Sequence, residues 1–403
     1  MEGKLIIDNK SSDPGNEPDF LITGIKKNVF VLGLVSLFTD IASEMLYPII
    51  PLFLTLVLGA PMALVGLIEG LAESSANILK VLSGWYSDKT KKRKPFVIAG
   101  YSISAISKPL MAMAYGWPLV LVARLMDRTG KGLRTSARDA LIADSSDIEH
   151  MGRSFGLHRS MDTIGAVAGP LIALGILYLS GDNYRVVFLA AFIPGLLSIL
   201  LVTFFVSERK RHVTERISFK LSHFSRDYKV FLLISAIFAL GNSSNVFLIL
   251  RAENLGFSVY MVILSYILFN IVSSLGSFPL GTLSDRWGRR NILSAGFIVF
   301  GFVYFGFAWV QQSIYIWPLF MIYGLYEALT EGSGKAYVVD LVSSDKRGTA
   351  LGIYHAVTGF MMLFASIIAG LVWDILGPSA PFIYGGGVAI LSSLLIVLFM
   401  PHR

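Results

Sequence analysis

Apolar and polar residues alternate along this chain in long blocks. Twelve apolar runs fall at roughly 28–57, 63–86, 96–114, 117–140, 155–180, 184–206, 229–250, 258–283, 291–311, 315–341, 349–376 and 380–400. About 20 residues of helix cross a hydrocarbon core, so each run predicts a membrane-spanning helix. A helix of a soluble core shows a narrower apolar stripe than these runs do. Several runs exceed the minimum length, which allows tilt. The longest connection, Ser207 to Lys229, divides the spans six and six.

The halves echo each other. Gly84-Trp85-Tyr86-Ser87-Asp88-Lys89 returns as Gly281-Thr282-Leu283-Ser284-Asp285-Arg286, 197 positions on (281 − 84). Asp144 and Asp340, Gly152 and Gly348, Gly156 and Gly352 are each 196 apart. A repeat of this length, built from apolar helices, predicts two membrane half-bundles and not a solenoid of short units. The expected fold is an all-α membrane protein with twelve transmembrane helices in two pseudo-symmetric six-helix bundles around a central cavity. The expected divisions are a tail over 1–27, an N-terminal bundle over 28–206, a linker over 207–228 and a C-terminal bundle over 229–403.

Composition agrees. Hydrophobic residues make up 54% of the 403 and charged residues 15%, against roughly 45–50% and 25% in soluble domains. The absence of cysteine excludes disulfides and thiolate metal sites. A net charge of +7 would suggest nucleic acid in a soluble protein. Here the cations gather in alternate loops: Lys89 to Lys94, Arg209 to Lys229, Arg286 to Arg290, and Lys346-Arg347. The intervening loops are nearly bare, with Arg185 and Arg251 as exceptions. By the positive-inside rule both termini are expected in the cytoplasm of a multi-pass protein of the cell (inner) membrane. The polar start, Met1 to Phe20, lacks the order of a cleaved signal and predicts a short disordered tail.

The paired loops carry a recognisable pattern. Gly84-x3-Asp88 followed by basic residues, and Gly281-x3-Asp285-Arg286-x-Gly288-Arg289-Arg290, resemble the cytoplasmic loop signature of the major facilitator superfamily. Thr90-Lys91 departs from that signature in the first copy. A glycine lets helices approach closely, and an acid near a helix end can pair with an arginine of a neighbour. Gly84, Asp88, Gly281, Asp285, Arg286 and Arg289 are therefore candidates for a conformational latch. The resemblance covers nearly the whole chain and implies secondary transport by alternating access.

In the fifth span, Gly156-x8-Gly165-x3-Gly169-Pro170 is similar to a motif of superfamily antiporters, especially drug:proton exporters. Ala173 stands where that motif carries a further glycine, and the matching stretch of the second half, Phe364 to Gly370, lacks it. Proline removes a helix hydrogen bond and bends the helix there.

Ionisable residues inside spans are expensive unless they face water or a partner. Asp40 and Glu44 lie four apart on one face of the first span, ahead of Pro48 and Pro51. Glu69, Glu73, Asn77 and Lys80 follow at helical spacing in the second. Arg124, Asp127, Arg128 and Lys131 lie in the fourth, and the resemblance places a proton-exchange arginine at Arg124. His158, Arg159 and Asp162 lie in the fifth span, Glu327, Glu331 and Lys335 in the tenth, and His355 in the eleventh. The group Arg134, Arg138, Asp139, Asp144, Arg153 and Asp340 reads as a structural charge network. Asp40, Glu44, Glu69, Glu73, Arg124, Arg128, Glu327 and Glu331 are the candidates for proton coupling or for the substrate cavity. Lys108, ahead of Pro109, suits snorkelling or function equally. Tyr47, Tyr323 and Tyr326 can wall a site for an organic substrate.

Other chemistry finds no footing. Gly130-Lys131 lacks phosphate-loop spacing, the six histidines are scattered without metal spacing, and no hydrolase elbow occurs. No cofactor, metal or nucleic acid is expected. The expected partners are a small-molecule substrate, protons and membrane lipid, for a monomer. The leading expectation is a proton-coupled antiporter exporting a small organic compound. The alternatives are a proton- or ion-coupled uptake symporter for a metabolite or metal chelate, and more remotely a membrane sensor or lipid-modifying enzyme.

Overall fold

The computed structural model describes residues 20–22, 25–90, 92–208, 224–343 and 346–401. Residues 1–19 of the expected tail (1–27) and 209–223 of the expected linker (207–228) lie outside them. A short antiparallel pair, Phe20–Ile22 with Ile25–Lys26, precedes the first helix.

Twelve spanning helices follow, numbered here α1 to α12. They are α1 (Lys27–Val57), α2 (Met62–Thr90), α3 (Lys94–Ala112), α4 (Trp117–Ser145), α5 (Met151–Ser180) and α6 (Tyr184–Phe205). The second set is α7 (Arg226–Asn254), α8 (Val259–Trp287), α9 (Arg289–Trp309), α10 (Ile316–Asp340), α11 (Arg347–Leu376) and α12 (Ala380–Phe399). Among the described residues nine of these helices are long and apolar enough to cross a membrane. The other three, α3, α4 and α10, are of spanning length but less apolar, and α4 alone carries eight charged residues, of which Arg124, Asp127, Arg128 and Arg134 are buried.

Each bundle packs the same way. In the first, α1 lies on α5 and α6, α2 on α4, and α3 on α4 and α6. In the second, α7 lies on α11 and α12, α8 on α10, and α9 on α10 and α12. The bundles meet along two seams, α2 against α11 and α5 against α8. A two-fold axis that exchanges the halves turns one seam into the other.

Three predicted spans are not single rods. α6 bends between its segments Tyr184–Ala190 and Phe192–Phe205. α1 is helical over Lys27–Glu44, breaks at 45–48 and resumes at Ile49. α7 is helical over Arg226–Gly241, breaks at 242–245 and resumes over Val246–Asn254. These last two breaks are 197 positions apart (242 − 45), the period of the repeat. Their causes differ. In α1, Pro48 and Pro51 withdraw backbone donors. In α7, Asn242-Ser243-Ser244-Asn245 supplies short polar side chains that compete for the ladder. Ser244 Oγ lies 3.4 Å from the Val246 N–H, and the Ser244 N–H donates to Ser366 Oγ at 3.2 Å.

An even number of spans puts both chain ends on one face, called here the terminal face. Each bundle is stapled there by its own copy of one device. Arg93 pairs with Asp144 and donates to the Ala140 carbonyl at 2.9 Å. Arg289, 196 positions on, pairs with Asp340 at 2.6 Å and donates to Ala336, also at 2.9 Å. The next residue of each loop caps a sixth helix: Lys94 donates to the Thr203 carbonyl at 2.8 Å, and Arg290 to the carbonyls of Ile396 and Val397. A cation at carbonyls that have no intrahelical donor satisfies them and opposes the helix dipole.

The opposite face explains the two stray arginines. Arg185 donates to the Ala112 carbonyl ending α3, and Arg251 to the Phe307 carbonyl near the end of α9. Each caps the third helix of its own bundle.

Candidate substrate cavity

The seams show where the molecule opens. Near the face opposite the termini, the backbones of α2 and α11 almost touch. A Cβ on Gly66 would lie 2.1 Å from the Ser366 carbonyl oxygen, and one on Gly370 would lie 2.3 Å from that of Met62. Toward the terminal face the seam loosens, and a Cβ on Gly352 would find Val81 no nearer than 3.7 Å. Two contacts between the bundles close the far side. The Asp374 carboxylate accepts the N–H groups of Met62 and Ala63, and the Tyr260 hydroxyl donates to Asp182 at 2.6 Å. On the near side Gly156 and Gly281 face open space. The cavity therefore opens between the bundles toward the terminal face.

It has several chambers. A polar one of about 440 Å³ is lined by Asp40, Glu44, Lys80, Lys131, Glu327 and Glu331 among others. An aromatic one of about 280 Å³ lies between Phe231, Phe238, Phe297, Tyr326 and Tyr354 of the second bundle, with Asn77 of α2 also on its wall. A third, of about 260 Å³, has Tyr47 on one wall and Asn242 to Asn245 on another, so the two helix breaks meet at it. Glu327 lines all three. A fourth, nearer the terminal face, has Arg138, His158, Arg159 and Asp162 on its wall.

Asp40 and Glu44 owe their position to the glycines of α5. A Cβ on Gly165 would lie 2.8 Å from Asp40 Cβ, and one on Gly169 would lie 3.0 Å from Glu44 Cβ and 2.7 Å from the Ile41 carbonyl. The span-5 motif and the span-1 acids are thus two sides of one contact. Pro170 adds to it. It cannot donate to the Ala166 carbonyl, and Asn270 of α8 reaches that oxygen from the other bundle at 3.5 Å.

Glu44 also bridges the bundles. It ends the first segment of α1 and accepts the Tyr266 hydroxyl of α8 at 2.8 Å. Tyr266 stacks on Tyr47 with ring centroids 5.3 Å apart. On the terminal side Arg159 of α5 pairs with Glu331 of α10 at 3.0 Å, and Lys335 shares that carboxylate at 3.1 Å.

The Major Facilitator Superfamily profile matches residues 32–241 and 230–403, one match for each half. The chain belongs to the Major Facilitator Superfamily. It is 41% identical over 382 residues to an uncharacterized MFS-type transporter, MJ1317, of Methanocaldococcus jannaschii, covering 93% of this chain and 95% of that one. It is 24% identical over 327 residues to a class G tetracycline resistance protein of Vibrio anguillarum, covering 77% and 79% of the two chains. Among solved structures, the nucleoside transporter NupG superposes with a TM-score of 0.73 at 15% identity, over 92% of this chain and 98% of that one. A D-xylose-proton symporter superposes at 0.73 and 16%, over 93% and 97%. These structures share the fold.

On this superfamily scaffold, α2 and α4 are joined by a buried charge network behind the cavity wall. Arg124 grips Glu69 with two bonds, Nε to Oε1 at 2.8 Å and Nη2 to Oε2 at 2.7 Å. Both side chains are almost fully buried and neither lines the four chambers described above. One turn on, Arg128 pairs with Glu73 at 2.9 Å, and these two reach the third chamber. The rings meet the network too, with Arg124 and Arg128 lying 5.6 and 5.7 Å from the Tyr47 centroid. Lys108 does not snorkel. It is 1% exposed, and its ammonium donates to Asp127 at 2.7 Å and Ser104 at 3.1 Å.

The candidate latch is divided. Arg289 pairs with Asp285 at 3.4 Å and with Asp340, all inside the second bundle. Arg286 is exposed, and among the described residues it makes no ion pair. A Cβ on Gly84 would meet Ser136 at 3.1 Å, whereas one on Gly281 would meet nothing within 4 Å. Asp88 is helical, but its side chain lies outside the described residues. Of the side chains that join the bundles, Glu44 and Glu331 are among the candidates picked from the sequence and Asp374, Tyr260 and Asp182 are not.

Proposed function

We propose that this transporter couples proton movement to the export of a small organic compound across the cell membrane, with both termini in the cytoplasm. The observation that carries this reading is the Tyr266 to Glu44 bond across the bundle boundary. A charged carboxylate holds a hydroxyl about twice as strongly as a neutral one does. Taking up or losing a proton at Glu44 therefore changes how firmly α1 and α8 are held together, which is what linkage between a proton and a conformational state requires. Asp40, one turn away in the same chamber, is a second carrier. The relatives that are a tetracycline resistance protein and, at 22% identity over 47% of this chain, the quinolone resistance protein NorA of Staphylococcus aureus support export.

The test is proton flux in proteoliposomes holding the full chain, challenged with cationic, anionic, zwitterionic and neutral compounds, tetracycline included. Flux driven by one compound class and abolished by Asp40→Asn or Glu44→Gln is the expected result. Flux that survives both changes removes these acids from the coupling and leaves Glu327 and Glu331 as the carriers. Direction is read in cells. Collapse of the proton gradient raises the internal substrate of an exporter and lowers that of a symporter.

A further inference from the structure

The charges on the cavity wall separate into those that are satisfied and those that are not. Arg138 is held by Asp139 and Ser36, Arg159 and Lys335 share Glu331, and Arg128 has Glu73. Lys80, Lys131 and Arg134 also line the polar chamber, and among the described residues none has a carboxylate within 4.0 Å. Arg134 is 4% exposed, lies 4.8 Å from the Tyr101 ring centroid, and leaves Nη1 without a hydrogen-bond partner. Burying an unpaired guanidinium N–H is costly unless something else comes to it. All three unpaired cations belong to α2 and α4 of the first bundle.

The second bundle shows the opposite. Glu327 stands where the three central chambers join, and among the described residues no cation lies within 4.0 Å of it. Beside it is the wall of Phe238, Phe297, Tyr326 and Tyr354. Aromatic faces attract an ammonium as well as apolar groups. Asp40 and Glu44 share the polar chamber, but they lie on the first bundle's own seam, and Glu44 is bonded to Tyr266.

We infer that the substrate is bipolar: a small zwitterion whose carboxylate is taken by Lys80, Lys131 and Arg134 of the first bundle and whose ammonium, with an apolar or aromatic body, is taken by Glu327 and the aromatic chamber of the second. One molecule then ties the bundles together from both sides, meeting cations on the first and a carboxylate on the second. This rests on the cavity being the transport site. It narrows the substrate from small organic compounds in general to those that carry both an ammonium and an acid.

Binding to the purified full chain in detergent tests it without any gradient, read as a shift of the thermal unfolding midpoint. The probes are aromatic amino acids, each compared with its methyl ester, which keeps only the cation, and its N-acetyl derivative, which keeps only the anion. The expected result is that at least one zwitterion binds tenfold or more tighter than both derivatives. Lys131→Gln and Lys80→Gln erase the advantage over the ester, Lys80→Arg restores it, and Glu327→Gln erases the advantage over the N-acetyl compound. Esters that bind as tightly as the zwitterions, or a panel in which nothing binds, overturn the inference. Zwitterion binding without proton flux in liposomes leaves it standing and overturns the proton-coupled reading instead.

Discussion

Asp374 of α11 accepts the backbone N–H of Ala63 at 2.7 Å and that of Met62 at 3.1 Å, so a side chain of one bundle caps a helix of the other. The first N–H groups of a helix have no intrahelical partner, and a carboxylate at that end is favoured by about 0.3–1 kcal/mol. The contact exists only while the bundles are closed on that side. Asp374→Ala should release it and shift the population toward the state open at that face. The chain has no cysteine, so a single one introduced at buried Val65 reports without background. Its labelling by a maleimide should become several-fold faster in the Asp374→Ala background.

The motif glycines of α5 should not be equivalent. A Cβ on Gly156 meets nothing, so Gly156→Ala should be neutral or stabilising by up to about 1 kcal/mol through helix propensity. A Cβ on Gly169 meets the Ile41 carbonyl at 2.7 Å, so Gly169→Ala should destabilise by about 1–3 kcal/mol as α1 is pushed away. Unfolding midpoints in detergent compare them. Equal effects would separate the motif from the seating of Asp40 and Glu44.

The Arg124–Glu69 pair should matter first for stability. Removing one partner of a buried pair leaves a charge without compensation, a loss of about 3–5 kcal/mol. Glu69→Gln should lower the unfolding midpoint sharply, and a paired Glu69→Met, Arg124→Met change should recover most of it. Arg124→Lys should fail to rescue, because an ammonium cannot make the two parallel bonds. A double variant as unstable as Glu69→Gln would mean that the neighbours Glu73 and Asp127 depend on this pair.

Tyr266→Phe keeps the ring that stacks on Tyr47 and removes only the hydroxyl. Substrate binding should persist while the protons moved per substrate fall. Unchanged proton flux would place the coupling away from Glu44.

Much of this architecture can be read along the chain, because lipid imposes one simple rule on each span and the duplication states the rest twice. The boundaries of α5 and α12 fall within a few residues of the apolar runs, and the paired loops announce the paired staples. Choice of partner is another matter. Glu69 and Glu73 differ by one helical turn, yet one is sealed against Arg124 and the other reaches the cavity through Arg128. Periodicity gives both the same face. Lys108 precedes a proline, which suits a kink near an interface as well as a buried pair, and only the proximity of Asp127 decides. Tyr266 lies 222 positions from Glu44, and Asp374 lies 311 from Ala63. Contacts between halves leave no periodic trace, because each half fixes its own spacing and the register between them is set by packing.

The matched breaks in α1 and α7 bear on how this cavity will answer to mutagenesis. They bring four helix ends, and not two continuous rods, to one chamber wall. At the α1 break Pro48 and Pro51 have no N–H to give the Glu44 and Tyr47 carbonyls, which leaves those two oxygens out of the ladder. Truncating side chains leaves those groups where they are. A substrate held partly by such main-chain oxygens should show, in an alanine scan of the chamber, fewer essential residues than the selectivity of binding demands.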